Sequence, residues 1–296
     1  MVKCGLMDPS RSKQLIDLDV LRARGTRVAK TAVVHDGARI GGGVEIGDWC
    51  VIGPRVAIGD GATLRQNVIV EGETSIGPGA VVHQFCVIGS FSHDLKFAES
   101  ESRGVSIGRD VVVREFTNIH AGTPLGRRGT FIGDEAYIMS HCHVGHDCEI
   151  GQGAMLSQGV TLGGEVSIGD HAVIGGCSAV HQLCAIGEYS MIGGCSKITM
   201  DVMPYALSDG NPQKLDGLNI LGLKRKGFSD AEIRVAKEMY KTLFLEGAMV
   251  WGERLAAAEK VYGDSPIARR IFDFIGGVSR RPLARPRKKF LGLGDA

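Results

Sequence analysis

The sequence predicts a mainly β chain: a parallel β-helix of hexapeptide repeats followed by a small α-helical C-terminal region. Three observations carry this reading. An aliphatic residue recurs at every sixth position from Val28, the position two before it is nearly always small, and the pattern ends after Ile198 in a Pro- and Gly-bearing stretch that precedes helical spacing.

The beat falls on Val28, Val34, Ile40, Ile46, Ile52, Ile58, Leu64, Val70, Ile76, Val82 and Ile88. It resumes at Ile107, Val113 and Ile119, then runs without a miss from Ile132 to Ile198, making 26 aliphatic positions. On an α-helix six residues turn about 240° net, which scatters these positions over three stripes. Short β segments with a corner after each beat place them all inside, and three such sides make a coil of about 18 residues. Gly follows many beats, as in Ile40-Gly41, Ile46-Gly47 and Ile52-Gly53, where it is expected to supply corner angles that other residues resist. The small positions, among them Ala38, Val44, Cys50, Val56, Ala62, Thr74 and Cys86, also read as inward, so the interior is narrow and dry.

In chain order, residues 1–25 form an N-terminal extension without the apolar stretch of a signal peptide, and Asp8, Asp17 and Asp19 weigh against a transit peptide. Residues 26–200 form the β-helix, with two slips. From Ile88 to Ile107 is 19 residues, one more than a coil, and SFSHDLKFAESESRG there reads as a loop near 89–106. From Ile119 to Ile132 is 13, one more than two sides, and HAGTPLGRRGTF marks a second loop near 120–131. Loops on a rigid scaffold commonly carry function. Residues 201–296 form the helical region. Ser229-Asp-Ala-Glu232 has capping-box spacing ahead of an apolar-periodic run to about Leu245. Further helices are expected over Trp251–Tyr262 and from Ser265-Pro266 to before Gly276, together capping the open end of the β-helix. The terminal RRPLARPRKKF is a basic, solvated tail that would attract an acidic partner.

A net charge of +1 gives no reason to expect a nucleic-acid partner, and no apolar run is long enough to cross a bilayer, so a soluble cytoplasmic protein is expected. Of eight cysteines, Cys50, Cys86, Cys142, Cys148 and Cys184 hold the small inward position and read as core. Cys177 and Cys195 are one coil apart, within possible reach of each other, but free thiols are expected in a reducing compartment.

The chemistry gathers in SHCHVGHDC, where His141, His143 and His146 precede Asp147. An 18-residue coil stacks His146, Gly164 and Gln182 in one surface column, about 5 Å per step. A histidine beside an aspartate is a general base, and a Gly on the next coil leaves a bare amide for an oxyanion. No serine or cysteine nucleophile is obvious nearby, which favours direct transfer. Read blandly, a lone surface histidine on a β-helix does nothing, Asp94 and Lys96 are solvated loop charges, and His181 and Gln182 are corner residues.

The segments HDLKF (93–97), REFTNIHAGT (114–123), HVGHDC (143–148), AVHQLCAIG (179–187), GGCS (193–196) and LNILGLKRKGFS (218–229) discriminate further. Through them, residues 28 to 275 resemble the family of acyl-carrier-protein-dependent UDP-N-acetylglucosamine O-acyltransferases that opens lipid A synthesis. The resemblance implies a left-handed β-helix, a homotrimer, acyl carrier protein as donor partner, UDP-N-acetylglucosamine as acceptor, and neither cofactor nor metal. It implies His146 as general base for the sugar 3-hydroxyl, Asp147 orienting it, and Gly164 as oxyanion donor. Asp94, Lys96, His120, His143, His181, Gln182, Asn219 and Arg225 would line the nucleotide-sugar and acyl sites, with Gly194 where the acyl chain ends. Three positions depart from the family pattern: Glu165 stands for His, Leu221 for Glu and His93 for Gln. Glu165, one coil from Asp147, is expected to raise a carboxylate pKa there. Two rivals follow from the same residues. One is a paralogue that acylates an amino sugar; the other is a zinc enzyme resembling γ-class carbonic anhydrases, with His141 and His146 as ligands. A catalytically dead nucleotide-sugar binder is a third.

Overall fold

The computed structural model describes residues 16, 18–22, 25–245, 250–278 and 280–286, so most of the N-terminal extension and the last part of the basic tail lie outside the described residues. The short helix α1 (Leu18–Arg22) precedes a left-handed parallel β-helix. Its three faces are sheets of two-residue strands. Val28 pairs with Ile46 and Ile46 with Leu64 on the first, Val34 with Ile52 on the second, and Ile40 with Ile58 on the third. Each partner is eighteen positions on. All 26 beats are buried, and the small inward positions from Val44 to Cys86 are buried with them. Ala38, nearest the N-terminal end of that series, is only partly covered.

The corners correct one expectation. Apart from Gly89, φ 91°, the glycine directly after a beat does not take the left-handed conformation; at most of these positions it stands where the next coil comes too close for a side chain. A Cβ on Gly47 would lie 2.9 Å from the Arg65 carbonyl carbon, and one on Gly59 would lie 2.6 Å from Pro78 N. The left-handed residue comes two positions later. It is Gly at Gly43 and Gly61, but Trp49, Asn67, Phe85, Asp147 and Glu165 adopt it as well, with φ between 57° and 62°. Close approach, more than backbone angle, is the reason for most Ile-Gly pairs among the described residues.

The slips also resolve differently from their residue counts. Val82 pairs with Val113, thirty-one positions on instead of eighteen, and Val113 pairs with Ile138, twenty-five on. The first loop therefore inserts thirteen residues into a single side, and the second inserts seven; neither adds one residue to whole turns. Both leave the second face, after Ile88 and Ile119, and these stack through Val144, Leu162 and Val180. One edge of the prism thus collects both loops.

Beyond Ile198 the β structure runs on. Ala206–Asp209 pairs in parallel with Met191–Ile192, and Lys214–Leu218 turns back antiparallel against it. Helices α2 (Ile220–Arg225), α3 (Asp230–Phe244), α4 (Trp251–Tyr262) and α5 (Pro266–Asp273) follow. Ser229 caps α3: its hydroxyl accepts from Glu232 N–H at 3.3 Å while the Glu232 carboxylate accepts from Ser229 N–H at 2.8 Å. That helix buries Ile233, Ala236, Met239 and Leu243. The helical region does more than close the end, because it lies back along the β-helix. Arg270 on α5 pairs with Glu188 at 2.9 Å, and the fully buried Asp201 carboxylate accepts the Arg280 and Arg281 amides at 2.8 and 2.7 Å.

Candidate active site

His146 follows the second-face strand His143–Val144 and Gly145, on the edge that carries both loops. Its Nδ1 lies 2.9 Å from Asp147 Oδ2. An ionised carboxylate only accepts, so Nδ1 carries the proton and Nε2 keeps its lone pair. Asp147 is the left-handed corner residue, φ 57°, and is fully buried. The seven-residue loop makes that burial possible. Thr123 donates to Oδ2 from its N–H at 2.9 Å and its hydroxyl at 2.8 Å, the Thr130 hydroxyl accepts from Asp147 N–H at 3.0 Å, and Arg127 donates to the Asp147 carbonyl at 2.7 Å. Gly126 lets the loop pass, since a Cβ there would fall 2.4 Å from Oδ2.

The coil arithmetic holds at this edge. Glu165 N–H donates to the His146 carbonyl at 2.8 Å and Leu183 N–H to the Gly164 carbonyl at 3.0 Å, so the 146, 164 and 182 corners stack on consecutive coils. The imidazole lies flush against Gly164, where an added Cβ would stand 2.3 Å from Nε2. The Gly164 amide has no hydrogen-bond partner among the described residues. A cavity of about 340 Å³ opens here, lined by His93, Asp94, Lys96, His120, His143, Gly145, His146, Gly164 and Gln182. Two larger hollows, one among Gly25–Ala29 and their stacked neighbours and one under α5, contain none of the histidines.

The electrostatics follow from these contacts. The hydrogen bond to Asp147 raises the His146 pKa, against the opposing effect of its own partial burial. For Asp147 burial works upward, but the bonds from His146, Thr123 and Gly129 outweigh it and hold the carboxyl below its usual range. The expected upward shift from Glu165 is therefore not what the geometry produces: Glu165 instead pairs with Arg280 at 2.9 Å. Burial pushes His120 down to about 4 and lowers His143.

Other sequence-singled residues lie elsewhere. His181 is exposed at the same edge, its Nδ1 3.1 Å from the Gln182 carbonyl, outside the cavity lining. Gly194 stacks on Gly176, one edge away. Asn219 caps α2, accepting from Gly222 N–H at 3.1 Å and donating to the Tyr189 carbonyl at 3.0 Å on the third edge; Arg225 ends that helix, exposed. His141 stacks on Phe116, ring centroids 4.9 Å apart, on the Gly194 edge. The zinc pair His141 and His146 is thus not assembled within this chain. Sequence reasoning missed Thr123, Arg127 and Thr130, although their loop follows Ile119 just as His146 follows Val144, on the same column.

Comparisons with known proteins follow the same lines. Residues 201–284 match the family described as "Udp N-acetylglucosamine O-acyltransferase; Domain 2", and residues 129–164 match "Bacterial transferase hexapeptide (six repeats)". The acyl-[acyl-carrier-protein]–UDP-N-acetylglucosamine O-acyltransferase of Agrobacterium fabrum is 38% identical over 266 residues, 90% of this chain and 98% of that protein. The protein of the same name from Mesorhizobium japonicum is 43% identical over 91% of this chain and 96% of its own length. The crystal structure of Francisella novicida UDP-N-acetylglucosamine acyltransferase superposes with a TM-score of 0.85 at 32% identity, covering 91% of this chain and 99% of that one. The enzyme from Bacteroides fragilis gives 0.83 at 32% identity, covering 87% and 100%. With its hexapeptide β-helix and its match over nine-tenths of the chain, this protein belongs to the acyl-[acyl-carrier-protein]–UDP-N-acetylglucosamine O-acyltransferase family.

Proposed function

We propose that the protein transfers a (3-hydroxy)acyl chain from acyl carrier protein to the 3-hydroxyl of UDP-N-acetylglucosamine, the opening step of lipid A synthesis, in the cytoplasm. One observation carries the mechanism: Asp147 locks the Nδ1 proton of His146, so a basic Nε2 lies against Gly164 in the cavity. Nε2 removes the proton of the sugar hydroxyl as its oxygen attacks the thioester carbonyl. The Gly164 N–H stabilises the tetrahedral oxyanion. Collapse expels the carrier thiolate, which takes the proton back from His146. Every proton passes through one imidazole, and the scheme uses no cofactor.

Asp94, Lys96, His120, His143 and Gln182 line this cavity and bind acceptor or acyl chain, with His181 at the same edge beyond the lining. Gly194 and Asn219 lie on other edges of the prism, and Arg225 ends the helix that Asn219 caps, which favours a homotrimer whose sites are completed by a neighbouring chain. Carrier docking falls to basic residues of the helical region, since acyl carrier protein is acidic.

A transfer assay tests the reading. Several acyl carrier protein thioesters are offered against UDP-N-acetylglucosamine and its 3-amino analogue. An ester-linked product from the hydroxyl sugar is expected; turnover with the amine alone would overturn the acceptor assignment.

A further inference from the structure

We propose that His93, His120 and His143 form a binding site for a divalent transition-metal ion of the zinc class. His120 and His143 come from adjacent coils of the second face, and His93 reaches over them from the thirteen-residue loop. Each offers one imidazole nitrogen, and the three nitrogens lie within 4.8 Å of one another. The rings are packed accordingly, with centroids 4.0 Å apart for His93 and His120 and 4.9 Å for His120 and His143.

His120 points most strongly to a ligand. It is 5% exposed, and its Nδ1 lies 3.1 Å from the Phe91 carbonyl. A carbonyl only accepts, so Nδ1 bears the proton and Nε2 presents a lone pair. That Nε2 is buried and has no hydrogen-bond partner. An unpaired buried acceptor is costly, and a Lewis acid satisfies it. Metal-ligating histidines are held in this manner, with the second ring nitrogen donating to a backbone carbonyl. Phe91 and His93 belong to the same loop, which therefore both fixes the tautomer and supplies the third ligand. Zinc at about 2.0–2.1 Å from each nitrogen needs nitrogens about 3.4 Å apart. His93 is exposed on its loop and free to close that gap by rotating. Imidazole sets of this kind take zinc, copper or nickel in preference to magnesium or calcium. Because the three histidines also line the cavity around His146, and resting here on the acceptor reading above, ion and sugar exclude each other.

The test titrates chelator-treated protein with Co²⁺, followed by visible absorption, and with Zn²⁺, followed by calorimetry. The wild type is compared with His93→Gln and with Cys177→Ser/Cys195→Ser, which removes the exposed thiols of the neighbouring edge. One ion per chain is expected, bound roughly 100-fold more weakly by His93→Gln and unchanged in the cysteine variant. Zinc is expected to displace UDP-N-acetylglucosamine from the protein, with chelator restoring binding. Absence of binding, undiminished affinity in His93→Gln, or loss of binding in the cysteine variant overturns the site. Sugar binding unaffected by bound zinc overturns the exclusion alone. The cobalt titration requires no turnover, so it stands or falls independently of the transfer reaction.

Discussion

His146 is held by one contact that sets both its orientation and its basicity. The Asp147 carboxylate, buried under the seven-residue loop, accepts the Nδ1 proton and raises the imidazole pKa from its usual 6.5. In the proposed mechanism the neutral imidazole is the base, so the rate is expected to fall as pH drops through that raised value. The acid limb of kcat/KM is therefore expected above the range of an ordinary histidine, and a pH–rate profile measures it. Asp147→Asn removes the carboxylate whose hydrogen bond and charge raise the pKa: the limb should move to lower pH and kcat should fall at least about 100-fold. An unmoved limb would show that another group is being titrated. At this scale the sequence was legible wherever coil periodicity decides position. His146, Gly164 and Gln182 fall together because eighteen residues return the chain to the same edge. Thr123, Arg127 and Thr130 were not legible, because an inserted loop obeys no period and its hydrogen bonds to Asp147 depend on a path that spacing does not encode.

At the scale of elements, the β-helix rests on close coil contacts and buried beats. Gly47→Ala places a Cβ 2.9 Å from the backbone of Arg65 and Gln66, atoms that cannot rotate away. A loss of about 1–3 kcal/mol is expected in denaturant unfolding, as for other overpacked positions. Ser229→Ala removes the cap of α3 and should cost about 0.5–2 kcal/mol, concentrated in the helical region and read by hydrogen exchange of the first turn. Burial, which recurs every sixth residue, made the beats and the inward cysteines legible, and the Ser229 box marked the start of α3. The run of β structure through Ala206–Asp209 and Lys214–Leu218 was hidden, because Pro204, Gly210 and Pro212 mask a hairpin that pairs only through the preceding coil. The length of each loop was hidden as well, since residue counts between beats do not reveal how many sides the chain has completed.

Across the whole molecule, the residues implicated in substrate handling are divided among three edges of one prism. His146 stands on the first, Gly194 on the second, and Asn219 on the third. The proposed trimer would bring different edges of neighbouring chains face to face, so mixed trimers of His146→Ala and Arg225→Ala chains should recover activity that neither variant has alone. Sedimentation equilibrium checks the assembly, and complementation checks that its sites are shared. The most direct measurement is the turnover of His146→Ala with acyl carrier protein thioester and UDP-N-acetylglucosamine, at unchanged thermal stability. A fall in kcat of about 10²–10⁴-fold or more is predicted for loss of the general base; turnover within a few-fold of the wild type would contradict the account.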